Sequence, residues 1–354
     1  MHKQADIKCV IWDLDETIWD GTLLETGDVT LKPGIREIIR ILDERGILHS
    51  IASKNYDQDG LKKLDEFGLT DYFVYSKINW NAKSVSVGTI HKKLNIHPES
   101  ILFIDDNPVE RDEVHSEYPE VLCVDAKDYT SLLDLPCMNP QVITEDAYHR
   151  RRMVQAAIQR EDDQTTFQGP KPAFLKTLKL QLTISKATES DLARVEELTL
   201  RTHQLNTTGI TYRHDELSVL LNSPEHTLWI CGLTDRYGPY GKIGLALVEK
   251  GSSNNTLQLL LMSCRVMSLG IGTVLLSHIM QETKSEGKRL HVDFRETDRN
   301  RMMKVTLAFG NFKTVELYPD GRSVWDNELS IIQAFPPFMD VRIKKKRGRE
   351  RGTD

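Results

Sequence analysis

A short apolar run near the amino terminus, followed at once by two aspartates, constrains the fold of this chain most. Residues 7 to 12 are mostly apolar and β-branched and are too few for a buried helix, which predicts a strand covered on both faces. Asp13 and Asp15 follow it. Carboxylates at the carboxyl end of a strand face the crevice where open α/β sheets bind ligands, and they repel each other unless a cation lies between them. In isolation the pattern is typical of a strand that runs into an Asx turn, so its interpretation depends on the residues downstream.

Strand-like and helix-like segments alternate after this run. Residues 18 to 32 are interrupted by glycines and predict a flap rather than a domain. Apolar residues then recur at helical spacing from Ile35 to Leu42, and Pro33 and Gly46 mark the two ends of a helix. Further strands are predicted at residues 47–52, 72–75, 101–104 and 121–124, separated by helices. The alternation predicts an α/β fold with a doubly wound parallel sheet.

Polar side chains stand where the later strands end or the next helices begin. They are Ser53, Lys83, Asp105 and Asp106. A parallel sheet brings them to the same edge as the first two aspartates. A carboxylate nucleophile, a nearby acid, a hydroxyl and an ammonium that bind phosphoryl oxygens, and further carboxylates for a metal are the parts of a phosphoryl-transfer site. Taken singly, a solvated first-turn lysine is the favoured interpretation of Lys83, and a helix cap that of Ser53.

The chain order D-x-D-x-T, then Ser, Lys and Asp-Asp, resembles the haloacid-dehalogenase-like hydrolases. The resemblance implies that Asp13 is the nucleophile and Asp15 the general acid and base. It implies that the phosphate is bound by Thr17, Ser53, Lys54 and Lys83. It also implies a Mg²⁺ site formed by Asp13, Asp15, Asp105 and Asp106, although Asp106 is a ligand or only holds Lys83. Because the flap is short, we expect no large cap domain, so the site is open or is covered by another part of the protein.

Composition and charge narrow the class of protein. The 354 residues are 39% hydrophobic and 28% charged, and no apolar run reaches the length of a membrane span. The chain enters its first predicted strand without a secretory signal, so we expect a cytoplasmic protein with no membrane partner. The net charge of −6 argues against a general nucleic-acid binder. Five cysteines, odd in number and without C-x-x-C spacing, indicate neither a disulfide framework nor a zinc site.

The second half predicts a mixed α+β domain. Charged helix formers at residues 145–163 predict a connecting helix, and a strand and a capped helix follow at residues 180–185 and 190–201. Three strands are expected at residues 227–233, 242–248 and 256–262, the first two joined as a hairpin. The predicted domains are a phosphatase domain at 1–140, a helical connector at 141–179, a mixed α+β domain at 180–340, and a basic, disordered tail at 341–354.

The third of these strands leads into a turn that contains Gly270 and Gly272, and a helix follows. Such a turn offers backbone N–H groups to an anion. The order of strand, glycine turn, helix, strand and helix resembles the acyl-CoA N-acetyltransferase fold, whose turn at this place cradles a pyrophosphate. Met267 stands where that fold usually has Gln or Arg, which counts against ordinary acetyl-CoA chemistry.

Cys264 stands where a pantetheine arm would end if it threaded this fold as coenzyme A does. A lone cysteine is commonly a small buried hydrophobic residue. Alternatively, Arg265 and the following helix amino terminus lower the pKa of the thiol and make it a nucleophile. His203, Asn206, Thr207 and His291 are candidates for positioning or proton transfer near this cysteine, or are structural.

Both halves together resemble the FkbH-like family, and the likeness covers nearly the whole chain. It rests on the segments W-D-L-D-E-T-I-W-D-G, I-A-S-K-N, F-I-D-D-N-P-V-E-R, F-L-K-T-L, L-T-L-R-T-H-Q-L-N-T-T and S-C-R-V-M. The resemblance implies that 1,3-bisphosphoglycerate loses its acyl phosphate to a thiolate at Cys264 and its other phosphate by chemistry at Asp13. The glyceryl group then passes to the phosphopantetheine thiol of an acyl carrier protein, and Asn206 assists binding. This activity supplies a polyketide-type pathway.

Two other functions stay open from the sequence. One is a Mg²⁺-dependent phosphatase that acts on a metabolite or a phosphoprotein, with the second domain as a binding module. The other is an active N-acyltransferase in the second domain, against which Met267 counts.

Overall fold

The computed structural model describes residues 5–140, 143–202, 205–297 and 300–344. The chain divides into two compact units, residues 1–158 and 159–354. None of the helices in the described ranges combines the length and the hydropathy that a membrane crossing requires.

The first unit is built on a five-stranded parallel sheet. Its elements are β1 Cys9–Trp12, β2 Trp19–Asp20, α1 Leu23–Thr26, β3 Thr30–Leu31, α2 Ile35–Glu44, β4 Leu48–Ser53, α3 Asp57–Glu66, β5 Lys77–Ile78, α4 Lys83–Leu94, β6 Ile101–Asp105, α5 Pro108–Glu117, β7 Leu122–Asp125 and α6 Glu145–Tyr148. The strand order is β5-β4-β1-β6-β7, with β1 at the centre and every residue of it buried. Because β1 is covered on both faces, its sequence is continuously apolar rather than alternating. The predicted doubly wound parallel sheet is therefore confirmed.

The flap between β1 and α2 is short, as predicted. Strands β2 and β3 pair antiparallel, with α1 between them. The strand predicted at residues 72–75 is wrong. Phe73 makes a single bridge to His49, but Tyr75 has a φ of 53°, which turns the chain out of an extended conformation before β5 begins at Lys77.

The second unit contains an eight-stranded mixed sheet. The helix α7, Arg150–Thr166, crosses the division at residue 158. The remaining elements are α8 Lys171–Thr177, β8 Leu180–Lys186, α9 Leu192–Arg201, α10 His214–Asn222, β9 His226–Asp235, β10 Gly238–Lys250, β11 Asn254–Met262, α11 Ile271–Ser285, β12 Arg289–Arg295, α12 Arg301–Phe309, β13 Lys313–Leu317, β14 Arg322–Asn327 and β15 Met339–Lys344. The order is β13-β14-β12-β11-β10-β9-β8-β15, antiparallel except for β11 with β12 and β8 with β15. The predicted mixed α+β second part is confirmed.

The disordered tail predicted from residue 341 is wrong over its first residues. Val341 to Lys344 continue β15, which pairs in parallel with β8 from Met339 to Lys344. The physical reason is visible in the sequence, because Met339, Val341 and Ile343 alternate with charged residues as an edge strand requires. The tail beyond Lys344 lies outside the described residues.

Candidate active site

The ammonium group of Lys83 is the centre of a buried cluster of charges in the first unit. Lys83 is the first residue of α4, and its Nζ contacts the carboxylates of Asp13, Asp105 and Glu110. The distances to Asp105 and Glu110 are both 3.1 Å. Nζ also donates to the carbonyl oxygen of Ala52 at 2.7 Å, which ties it to the end of β4. Three strand ends and two helix starts thus meet at one ammonium group, as the parallel topology requires.

Burial and charge shift the pKa values of these groups. Burial raises the pKa of Asp13, although the neighbouring Lys83 opposes that shift. Burial and the charge of Asp13 raise the pKa of Asp105 to about 7. Burial alone would lower the pKa of Lys83, but the carboxylates around it raise the pKa above its ordinary value and keep the amine protonated. The cluster therefore carries more negative charge than one ammonium group neutralises.

Three carboxylates at the carboxyl edge of the first sheet are arranged to hold a cation. Oxygen atoms of Asp13, Asp105 and Asp106 all lie within 4.8 Å of one another. Carboxylate oxygens are the hard donors that Mg²⁺ prefers, and a divalent charge would offset the crowding that raises the pKa of Asp105. The donor set therefore fits a divalent cation.

Asp15 lies outside this group of carboxylates, although the sequence predicted it as a fourth ligand. Its Oδ1 accepts hydrogen bonds from Trp19 Nε1 at 2.7 Å and from the backbone N–H of Leu23 at 3.0 Å, and its Oδ2 accepts from Asn55 at 2.9 Å. These donors turn the carboxylate toward the flap. That position suits a group that exchanges a proton next to Asp13 more than a metal ligand.

The predicted phosphate-binding residues fall into different environments. Ser53 is buried and its side chain hydrogen-bonds to Asp13, so it belongs to the site. Lys54 is exposed at the edge and forms a 2.7 Å ion pair with Glu110. Thr17 is fully buried, and its Oγ1 has no hydrogen-bond partner among the described residues. The structure therefore brings Ser53 and Lys83 to Asp13 but places the hydroxyl of Thr17 out of contact with solvent.

Glu110 is a member of the site that the sequence reasoning did not single out. It lies between the two lysines, 2.7 Å from Lys54 and 3.1 Å from Lys83. Burial alone would raise its pKa, but the two ammonium groups together lower it. Asn107 caps α5 by accepting from the backbone N–H of Val109 at 3.0 Å, which fixes the first turn that carries Glu110. The helix start D-N-P, followed by a glutamate in the first turn, was the available signal.

In the second unit, the strands β11 and β12 pair only near their starts. Residues 254–257 pair with residues 289–292, and the strands then separate. The segment Leu205–Thr208 lies between the separated ends. The backbone N–H of Thr207 donates to Leu260 O at 3.0 Å on one side, and Arg295 N donates to Thr207 O at 2.9 Å on the other. A segment of the chain itself thus fills the gap in the sheet.

The described members of the group predicted near Cys264 do not form one cluster. Cys264 opens a 3-10 turn, residues 264–269, directly after β11, and its side chain lies outside the described residues, as does His203. Asn206 is buried, and its Oδ1 accepts from the backbone N–H groups of Thr208 and Gly209, so it shapes its own loop. The placement of His291 near Cys264 is wrong. His291 pairs with Thr256, at the far end of β11, roughly 25 Å of strand away from residue 264.

A cavity of about 560 Å³ lies between the glycine turn and α12. Gly270, Gly272 and Thr273 line one side, and methionines line much of the rest. Gly270 has a φ of 71°, a left-handed conformation that favours glycine at the start of α11. The predicted glycine turn at a helix start is therefore present next to a cavity.

Part of the chain resembles a known phosphatase in sequence. It is 28% identical to magnesium-dependent phosphatase 1 of Homo sapiens over 118 residues, which cover 28% of this chain and 67% of that protein. The Mg-complexed N-terminal phosphatase part of a Bacteroides fragilis protein is 29% identical, with a TM-score of 0.32. That likeness covers 38% of this chain, and the chain spans 40% of the solved one.

A third similar protein is an acetyltransferase. The ribosomal-protein-S18-alanine N-acetyltransferase of Escherichia coli is 16% identical, with a TM-score of 0.32, over 41% of this chain and 90% of its own. No family model matches the chain. Part of the chain is thus similar in sequence to a magnesium-dependent phosphatase, and the first unit contains a group of aspartates that could hold a divalent cation.

Proposed function

We propose that the first unit is a Mg²⁺-dependent phosphate-monoester hydrolase and that the whole chain is a glyceryl transferase and phosphatase. The observation that carries the first half is the group of three carboxylates beside the buried ammonium of Lys83. The sequence similarity to magnesium-dependent phosphatase 1 supports the same chemistry and the same metal.

The hydrolysis uses the residues of the cluster in two steps. The Asp13 carboxylate attacks phosphorus, the ester P–O bond breaks, and Asp15 gives its proton to the departing oxygen. Water then attacks the phosphorus of the aspartyl phosphate and gives a proton to Asp15, which releases inorganic phosphate and restores the Asp13 carboxylate and the protonated Asp15. Lys83 and Ser53 hold the phosphoryl oxygens, because both already contact Asp13. Asp13, Asp105 and Asp106 would hold Mg²⁺, which would neutralise charge on the phosphoryl group.

The second half of the proposal concerns Cys264. Its thiolate attacks the acyl carbon of 1,3-bisphosphoglycerate, and the C–O bond to the acyl phosphate breaks without ATP because that bond is already activated. The thiol of a carrier protein's phosphopantetheine arm then takes over the acyl group and leaves its proton on the cysteine sulfur. The turn that Cys264 opens at the end of β11, next to a cavity, supports this assignment.

A second candidate function is a Mg²⁺-dependent phosphatase with a second unit that only binds. The segment Leu205–Thr208 favours it, because this segment occupies the gap between β11 and β12 with its own hydrogen bonds. In that case the substrate is another metabolite or a phosphoprotein.

Two variants separate the candidates. Asp13→Asn removes the attacking carboxylate, so hydrolysis of a simple phosphate monoester should nearly vanish. Cys264→Ala should keep that hydrolysis but lose both the acyl adduct on the protein, glyceryl or phosphoglyceryl by intact-mass spectrometry, and the glyceryl thioester on the carrier. Carrier loading by Cys264→Ala at the wild-type rate would contradict the covalent route. If the wild type itself did not load the carrier, only the second candidate, a phosphatase with a binding unit, would stand.

A further inference from the structure

Four exposed apolar side chains lie close in sequence to residues of the phosphatase site. We call Tyr56, Trp80, Val85 and Val109 the apolar rim. Each lies within four residues of a group in the charge cluster or its carboxylate neighbours, because they follow Ser53, flank Lys83 and precede Glu110. Tyr56 and Trp80 expose 58% and 57% of their surface, and Val85 and Val109 are exposed as well. Exposed apolar groups gathered at a site mark contact with a ligand more often than scattered ones do.

The two aromatic residues of the rim form a pair across the ends of two neighbouring strands. Their ring centroids are 5.8 Å apart at 75°, an edge-to-face arrangement. Ser53 pairs with Ile78, and the backbone N–H of Asn79 donates to Ser53 O at 2.9 Å, so Trp80 emerges directly beside the buried serine. An edge-to-face pair presents a ridge along which a flexible chain can lie, rather than a slot that encloses a planar ring.

The charges around the rim argue against a small polyanion as the substrate of this site. Its strand ends and first helical turns, residues 53–57, 79–86 and 105–111, contribute three basic side chains: Lys54, Lys83 and Arg111. Lys54 is paired with Glu110 at 2.7 Å, Lys83 is buried among carboxylates, and Arg111 is paired with Asp125 at 2.9 Å. A second phosphate or a free carboxylate on the substrate would thus find no uncommitted cation in these three segments.

We infer that the phosphatase site acts on a phosphate monoester joined to an uncharged pantetheine arm, and that the apolar rim binds the arm. This rests on the proposed function and fixes the order of its two reactions. The acyl phosphate leaves first, when sulfur bonds to the acyl carbon and inorganic phosphate departs. The arm's thiol then accepts the phosphoglyceryl group. The remaining phosphate is removed last, by attack of Asp13 on phosphorus and transfer of a proton from Asp15 to the departing oxygen.

The test compares two substrates with the same phosphate ester, phosphoglyceryl-S-pantetheine and free 3-phosphoglycerate. In the full-length protein with Mg²⁺, we expect kcat/KM to be at least about tenfold higher for the thioester. Trp80→Ala should reduce that preference about tenfold, the effect of one aromatic contact, and leave kcat/KM for 3-phosphoglycerate within about twofold. Trp80→Phe should restore most of the preference because it keeps a ring.

Tyr148→Ala is the matched control. Tyr148 is 55% exposed and forms an edge-to-face pair with His149, but it lies on α6, away from the strand ends that carry the site. The variant should change neither rate.

The inference would be overturned if kcat/KM were equal for both substrates, or if the preference for the thioester survived in Trp80→Ala and Tyr56→Ala. Carrier loading by the wild type would still support the proposed function in that case. Loss of carrier loading in the wild type would instead count against the proposed function. The inference would also be overturned if the protein hydrolysed a phosphotyrosine peptide faster than the thioester and Trp80→Ala abolished that difference. The apolar rim would then bind an aromatic phosphate ester rather than a pantetheine arm.

Discussion

Replacing Lys83 by methionine should destabilise the first unit strongly, and Mg²⁺ should reverse much of the loss. The variant keeps most of the length of the side chain but removes an ammonium group that is buried among three carboxylates. Removing one partner of a buried ion pair costs about 3–5 kcal/mol, because the remaining charge has no compensation. We therefore expect a loss of that size in the unfolding free energy of the first unit without metal.

The effect of Mg²⁺ follows from the same charges. A cation held by Asp13, Asp105 and Asp106 supplies the positive charge that the variant lacks, so Lys83→Met should bind it more tightly than the wild type. A ligand at a hundred times its Kd stabilises the state that binds it by about 2.7 kcal/mol. The gap between variant and wild type should narrow by a similar amount, even though phosphate hydrolysis stays low.

Hydrogen exchange of the peptide that contains β1, measured along a urea series with Mg²⁺ or with a chelator, follows the unfolding of this unit alone. Lys54→Met is the control, because Lys54 is an exposed residue with one ion pair and should cost less than about 1 kcal/mol. A loss in Lys83→Met no larger than in Lys54→Met, or the same Mg²⁺ effect in variant and wild type, would refute the reasoning.

Three further predictions address the metal, a buried histidine and the gap in the second sheet. Asp105→Ala should raise the Mg²⁺ concentration for half-maximal hydrolysis, since two carboxylates replace three. His49 accepts from Trp12 Nε1 and contacts Ile39 O, and burial lowers its pKa to about 3, so its unfolded form alone takes up a proton below pH 6.5. The unfolding free energy of the wild type, measured with urea, should therefore fall relative to that of His49→Gln. The difference should shrink by up to about 1.4 kcal/mol per pH unit as the pH falls from 6.5 toward 4. Asn300→Ala removes the hydrogen bonds that the Asn300 side chain donates to Asn206 O and Arg295 O. Amide hydrogen exchange at Leu205–Thr208 should therefore become at least about fivefold faster. An unchanged exchange rate would mean that backbone hydrogen bonds alone hold the segment.

The first sheet could be predicted from the sequence because its three central strands, β1, β4 and β6, are buried on both faces and its helices keep an apolar stripe. The same topology makes the meeting of Asp13, Ser53, Lys83 and Asp105 predictable, since parallel strands end at one edge. The role of Glu110 was not predictable from spacing alone, because its two ion pairs reach Lys54, just after β4, and Lys83, at the start of α4, both far away in sequence.

Long-range pairing explains most of what the sequence missed in the second unit. Leu205–Thr208 carries no strand pattern, and its conformation is fixed by bonds to β11 and β12. The strand β15 is short, and its alternation of apolar and charged residues fits an edge strand but does not identify β8 as its partner. Local patterns hold information about periodicity, but not about which distant segment supplies a partner.

The pairing of β15 with β8 has a consequence for how the chain folds as it is synthesised. The strands of the first sheet have all been made by Asp125, whereas β8, the first strand of the second sheet, waits for its parallel neighbour until residues 339 to 344 emerge. During that interval one edge of β8 is open, with Leu180, Leu182 and Ile184 at alternate positions along it. An open apolar strand edge is a template for aggregation. Ribosomes that stop between residues 235 and 339 should therefore release products that need chaperones.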